Sequence, residues 1–148
     1  MHELLLLRHA KSTWDDPSHT DHERPLNARG RAAAPLMGRL LRDEDLVPDL
    51  ILSSDSARTR ETVALLSDAM APTGRTHFLP SLYHASPATI MGVLSEYGDA
   101  DRVLVVAHNP GLQELASALI GTVTSFPTAA LAAFVCEDET FTLKGLWR

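Results

Sequence analysis

The chain has 148 residues, 45% hydrophobic and 22% charged, and its 13 Lys plus Arg against 19 Asp plus Glu give a formal net charge of -6. That size and mixture suit one globular domain with its own core, and the acidic balance argues against general binding to nucleic acid or an anionic membrane. The single cysteine, Cys136, excludes an internal disulfide, and the opening leucines are too few to span a bilayer and lack a signal peptide's features, so a cytoplasmic location is expected.

Leu4 to Leu7 is a continuous apolar run that reads as a buried central strand, and it runs directly into Arg8 and His9. Ala10 to Leu26 is polar and rich in turn formers, with Pro17 and Pro25, and a loop of that length is usually functional or mobile. Asn27 can cap a helix from Ala28 to about Arg42, with Ala32, Ala33, Leu36, Leu40 and Leu41 as its apolar stripe. Pro35 is predicted to kink that helix or split it. Leu50 to Ser53 reads as a short buried strand, after which Ser54, Asp55 or Ser56 caps a helix reaching about Met70, its inner face carrying Thr62, Leu65, Leu66 and Ala69. Arg58 falls in the first turn of that helix, where a cation is unfavourable, so it needs an anionic partner.

Pro72-Thr73-Gly74 reads as a turn and Thr76 to Leu79 as a third strand. Ser86-Pro87 suits the cap and first position of a helix ending near Tyr97. Arg102 to Ala107 is the second strong buried strand, and it too ends at a histidine, His108, before Asn109-Pro110-Gly111 and a helix from about Leu112 to Ile120. Ala130 to Cys136 and Phe141 to Trp147 form a hairpin about the acidic turn Glu137-Asp138-Glu139. Strands alternating with helices predict a single-domain, three-layer α/β/α sandwich on a mainly parallel, mixed sheet.

Three segments share one plan: a buried strand, then a residue suited to phosphate at or just beyond its C-terminal end. These are Arg8 with His9, Arg58, and His108. Arginine offers a permanent planar fork of donors that matches phosphate oxygens, and a neutral imidazole offers a lone pair. If the three strands lie side by side and parallel, the four side chains converge on one pocket at the sheet edge where open α/β folds bind ligands. The pair Arg8-His9 then suits attack on a phosphorus atom whose oxygens the arginine holds.

The segments Leu7-Arg8-His9-Ala10-Lys11-Ser12, Arg24-Pro25-Leu26-Asn27-Ala28-Arg29-Gly30, Ser53 to Thr62 and Ala107-His108-Asn109-Pro110-Gly111 resemble, in order and spacing, the histidine phosphatase superfamily. That family has a phosphoglycerate mutase-like fold, and the short length resembles its compact SixA-like branch of phosphohistidine phosphatases. The resemblance implies a metal-independent, cofactor-free phosphatase in which His9 is the nucleophile. Arg8 and Arg58 would grip the phosphoryl oxygens, His108 would donate a further hydrogen bond as imidazolium, and the backbone after Arg8 and His108, including Asn109, would complete the phosphate cradle. The implied substrate is protein phosphohistidine, such as a histidine-phosphotransfer domain, with small phosphate esters as the alternative and a monomer as the working unit.

Two departures from the family pattern carry information. Many members place a glutamate proton donor after the third strand, where this chain reads Ser81-Leu82-Tyr83-His84-Ala85. His84 and Asp21 are the candidate donors in its place, and a protonated imidazole leaving group would need a strong acid less. There is also no long insertion between the third strand and third helix, which leaves an open cleft. Competing chemistries fare worse. His19 and His22 have zinc-like spacing but sit in a polar loop, Cys136 lacks an arginine six residues on, and no Walker sequence is present. A phosphate-binding module without turnover is the non-enzymatic alternative.

Overall fold

A run of four leucines is wholly buried only when both faces of its strand are covered, and the computed structural model, which describes residues 1–71 and 74–148, has that arrangement. β1 (Glu3–Arg8) lies inside a six-stranded sheet with β2 (Leu50–Ser54), β3 (Arg75–Leu79), β4 (Arg102–Ala107), β5 (Leu131–Glu137) and β6 (Thr140–Trp147). The spatial order is β3-β2-β4-β1-β5-β6, with the first four strands parallel and the closing hairpin antiparallel. Asp138 and Glu139 turn that hairpin with φ of 49° and 63°, the left-handed pair that a two-residue connection matching the sheet's twist requires.

Four helices cover the sheet: α1 (Ala28–Asp43), α2 (Ala57–Met70), α3 (Pro87–Ser95) and α4 (Gly111–Ile120). The pleat sends Leu5, Leu7, Ile51, Leu104 and Val106 toward Leu41 of α1 and Val63 and Leu66 of α2. The alternate residues Leu4, Leu6, Leu52, Val103 and Val105 face Ile90 and Leu94 of α3 and Leu112 and Leu115 of α4. The fold is therefore the expected three-layer α/β/α sandwich. Register pairs Arg8 with Ala107 and Ser53 with Val106, so β1, β4 and β2 end level with one another.

Three expectations need correcting. α1 runs unbroken through Pro35, and its buried residues are Gly30, Ala34, Gly38 and Leu41, while Ala32 is exposed and Leu36 is 58% exposed. The contact with α2 is set by closeness: a Cβ at Gly38 would stand 2.3 Å from the Leu66 carbonyl oxygen. A stripe of small side chains clamps the helix along its length, and that packing outweighs the hydrogen bond that Pro35 cannot make. On α2, Leu65 and Ala69 are only half-buried, and Val63 and Met70 take the inner positions. α3 ends at Ser95 because the Glu96 and Tyr97 amides bond back three residues, to Val93 and Leu94, which tightens the last turn out of α geometry. Ser56, among the three candidates, caps α2 by accepting from the Thr59 amide. Pro72 and Thr73 of the expected turn lie outside the described residues.

Gly111 fixes how α4 meets the Tyr83–Ala85 segment, since a Cβ there would stand 1.8 Å from the Ala85 carbonyl oxygen. Both partners are backbone-bound and cannot swing aside. Gly111→Ala is expected to destabilise the fold by about 1–3 kcal/mol, read as a lower urea midpoint at unchanged slope.

Candidate active site

Parallel neighbours β1 and β4 end in register, so His9 and His108, one residue beyond each, emerge together, with ring centroids 5.2 Å apart. Arg58 comes from the first turn of α2, which follows the adjacent β2. Thr62, one turn on, locks the two contributions to each other: its hydroxyl donates to the Arg58 carbonyl at 2.7 Å and accepts from the Ala10 amide at 3.1 Å.

His9 is 5% exposed, and its Nδ1 lies 2.7 Å from the Ala10 carbonyl oxygen. A carbonyl only accepts, so the proton sits on Nδ1 and the lone pair on Nε2, which takes a 3.3 Å bond from Arg58 Nε. Burial pushes the His9 pKa down to about 3; the bond to Ala10 works against that, and the charges of Arg58, Arg8 and Arg24 add to it. His108 is 2% exposed, has Nε2 2.8 Å from Ser54 Oγ, and is pushed down to about 2, by burial first and then by His9 and Arg58. Both rings are neutral near pH 7.

These shifts predict a pH dependence of stability. Above pH about 6.5 the folded and unfolded chains both hold neutral imidazoles here, and nothing changes. Below it the unfolded chain takes up protons that the native site refuses, so stability falls as pH falls, down to about 3 where His9 itself titrates. The slope is at most about 1.4 kcal/mol per pH unit for each ring. Urea midpoints from pH 7 to pH 4 should show this fall flattened in His9→Ala and in His108→Ala.

Arg58 is 1% exposed, and the anionic partner its helix position demands is Asp21, from the long loop after β1. Nη2 of Arg58 lies 3.1 Å from Asp21 Oδ2, and Nη1 donates to the Asp21 carbonyl at 2.7 Å. The same carboxylate takes Arg24 Nε and Nη2 on Oδ1 at 3.2 and 3.0 Å, and on Oδ2 it also accepts from the Tyr83 hydroxyl and lies 2.9 Å from His84 Nε2. Burial alone would raise the Asp21 pKa. The bonds from Tyr83, His84 and Arg24 and the charge of Arg58 prevail and hold it well below the usual carboxylate range. An ionised carboxylate that accepts from this many donors is poorly placed to give up a proton, which weighs against Asp21 as the donor. His84, its other candidate, lines the cleft with Nε2 turned to that carboxylate.

These groups border a cleft of about 270 Å³ whose lining holds four cations, Arg8, Lys11, Arg24 and Arg58, in a chain that is acidic overall. Arg8 Nη1 reaches the Phe126 carbonyl at 3.4 Å, and its Nε is buried with no partner among the described residues. Asn109 borders the cleft too, but its side chain braces the surrounding loops: Nδ2 donates to the Phe126 carbonyl at 2.8 Å, and Oδ1 accepts from the Gln113 amide. Arg24, Trp14 and Ser54 were not singled out from the sequence as site residues. Arg24 lay in a segment noted only for its resemblance, and its guanidinium now stacks 3.7 Å over the Trp14 ring, which is 69% exposed at the cleft's edge. Ser54 carries a helix-cap signal and lies in a segment of the resemblance, and neither points to His108.

His19 and His22 do not line the cleft, although the His22 ring packs edge-on against Tyr83 at 4.8 Å. His19 turns to Asp16 at 3.5 Å and His22 to Asp55 at 2.9 Å. Cys136 is half-buried on β5. Among the described residues no group of three or more His, Cys, Asp or Glu is disposed to hold a metal ion, and no helix is long and apolar enough to cross a membrane.

The arrangement can bind a tetrahedral oxyanion and present a neutral nitrogen lone pair to it. Comparison with known proteins gives the family and the fold. The pattern of the histidine phosphatase superfamily, branch 1, matches residues 4–82. An uncharacterized chloroplastic protein of Arabidopsis thaliana is 36% identical, over 96% of this chain and 72% of its own. A candidate phosphohistidine phosphatase SixA from Agrobacterium tumefaciens superposes with a TM-score of 0.90 at 30% identity, over 99% of this chain and 97% of its own. The protein histidine phosphatase SixA complexed with tungstate superposes at 0.86 over 97% and 95%, and at 22% identity that likeness speaks for the fold. On its matched segments, its fold and its relatives, the chain belongs to the histidine phosphatase superfamily.

Proposed function

We propose that the chain is a metal-independent phosphatase that passes through a phosphohistidine at His9 and acts on protein-borne phosphohistidine. The observation that carries this reading is the neutral His9, anchored through Nδ1 on the Ala10 carbonyl, with its Nε2 lone pair held beside Arg58. Nε2 forms a bond to phosphorus while the bond to the leaving group breaks, and His84, oriented by Asp21, gives the leaving group its proton. Water then attacks the phosphorus, His84 takes the water proton, the P–N bond breaks, and inorganic phosphate departs. Arg8 and Arg58 hold the equatorial oxygens throughout, which is most of what phosphoryl transfer asks of a protein.

The substrate assignment draws support from the open cleft and from Trp14 at its edge, where a protein surface can reach it. It also draws on the description of the Agrobacterium relative as a candidate phosphohistidine phosphatase. The lone cysteine suits the cytoplasm as the working compartment. The small volume and cationic lining favour one second reading, a broad phosphomonoesterase on small phosphate esters.

A panel containing a phosphorylated histidine protein, sugar phosphates and a chromogenic phosphomonoester, assayed with and without chelator, tests both. The protein substrate is expected to give the highest kcat/KM, unchanged by chelator. Trp14→Ala should raise KM for the protein substrate by about tenfold, as loss of an interface aromatic does, and leave the chromogenic ester within about twofold. Equal effects on both substrates would favour the small-ester reading, chelator sensitivity would end the metal-independent one, and inactivity on the whole panel would leave a binding module.

A further inference from the structure

Ser54 is the last residue of β2, and it is fully buried. Its Oγ lies 2.8 Å from His108 Nε2 and accepts a weaker, 3.4 Å bond from the Ser56 amide. A buried hydroxyl carries one hydrogen, and that hydrogen needs an acceptor. The Ser56 amide is a donor and cannot serve. Among the described residues the remaining contact of this Oγ is Nε2 of His108, so the hydroxyl donates there and Nε2 holds the lone pair. The proton of the neutral ring is then on Nδ1. That atom is buried with no partner among the described residues, on a ring that lines the cleft and faces His9. The opposite tautomer would strand two groups at once: a hydroxyl hydrogen without an acceptor, and a bare nitrogen lone pair in a cleft built for anionic oxygens.

We infer that Ser54 is a positioning residue that fixes His108 as the neutral Nδ1–H tautomer, leaving Nδ1–H to donate a hydrogen bond to the transferring group. The two facing imidazoles thereby hold opposite tautomers. His9 has its Nδ1–H tied to the Ala10 carbonyl and presents a lone pair, whereas His108 has its Nε2 tied to Ser54 and presents a hydrogen. A nucleophile and an electrophilic donor are made from the same side chain by the choice of a second partner, a carbonyl in one case and a hydroxyl in the other. This replaces the expected imidazolium at His108 with a neutral donor, which can be desolvated beside two arginines where a third cation would be opposed. The tautomer itself follows from the bonds alone; its catalytic consequence rests on the phosphatase reading above.

The test is nitrogen-15 NMR of the full chain with labelled histidines, His108 being assigned by its loss in His108→Asn. Wild type is expected to show a proton on Nδ1 and a bare Nε2 at His108. Ser54→Ala should lose that signature and lower kcat by about 10- to 100-fold, with KM within about threefold, as removal of a preorganised donor does. Ser54→Thr, which keeps the hydroxyl, should restore both. His108→Asn, whose amide can place an N–H near the position of Nδ1, should exceed His108→Gln in kcat by about tenfold. A proton on Nε2 in the wild type, or a tautomer unmoved by Ser54→Ala, would overturn the assignment. Because the tautomer is read without turnover, such a failure is distinguishable from a chain that lacks phosphatase activity.

Discussion

Replacing His9 by alanine is expected to abolish the covalent phosphoenzyme and to lower turnover by on the order of 10⁴-fold or more, since a lost nucleophile leaves only binding and charge stabilisation. The reason lies in how little else in the cleft can attack. His108 has its Nε2 bound to the Ser54 hydroxyl, His84 has its Nε2 on Asp21, and the lysine and arginines of the lining are cationic. His9 is buried and neutral near pH 7, and its Nε2 lone pair is met only by a long, 3.3 Å bond from Arg58 Nε. His108→Ala keeps that nucleophile and loses a donor, so turnover should slow while a residual adduct still forms. Acid-quenched mass spectrometry after mixing with substrate separates the two variants. Phosphate found on any residue other than His9 in the wild type would refute the assignment.

The sequence makes the sheet legible and the loop opaque, for a physical reason. Leu4–Leu7 and Val103–Val106 are continuous apolar runs, and only a strand covered on both faces buries them, so the parallel centre and the placement of Arg8, His9 and His108 at its C-terminal edge follow. The docking face of α1 does not follow from hydropathy, because Gly30, Ala34 and Gly38 make the contact through the absence of side chain. The roles of Asp21 and Arg24 are set by partners far along the chain: Asp21 meets Arg58 and Tyr83 only after α2 and the 3-10 turn at Pro80–Leu82 are in place. A polar loop has no periodicity to report such meetings. Arg58 was the exception, since a cation in a helix's first turn announces that it has an anionic partner, although not which one. Ser54 was read as a cap candidate because a serine after a strand looks the same whether it bonds an amide or an imidazole.

Arg58→Ala should be the variant that damages both chemistry and fold. The guanidinium gives Nε to His9, Nη1 to the Asp21 carbonyl and Nη2 to the Asp21 carboxylate, so one planar group ties His9 to the loop that carries Asp21. Alanine removes the proposed phosphate ligand and frees that loop together, and kcat/KM should fall by on the order of 10³–10⁵, the range found when a transition-state arginine is lost. Stability should fall by about 2 kcal/mol, less than for a wholly buried pair because Asp21 keeps Arg24 and some contact with water. Arg58→Lys separates the two losses. An ammonium on a flexible stem can still neutralise Asp21, but it cannot hold the carboxylate, the carbonyl and His9 at once or meet two phosphoryl oxygens in one plane. The lysine variant is therefore expected to regain most of the urea midpoint while staying at least about a hundredfold down in kcat/KM. Recovery of activity in step with stability would mean that charge alone is what Arg58 supplies. Failure of both to recover would mean that its main work is to hold the Asp21 loop in place, with the phosphoryl oxygens left to Arg8 and Arg24.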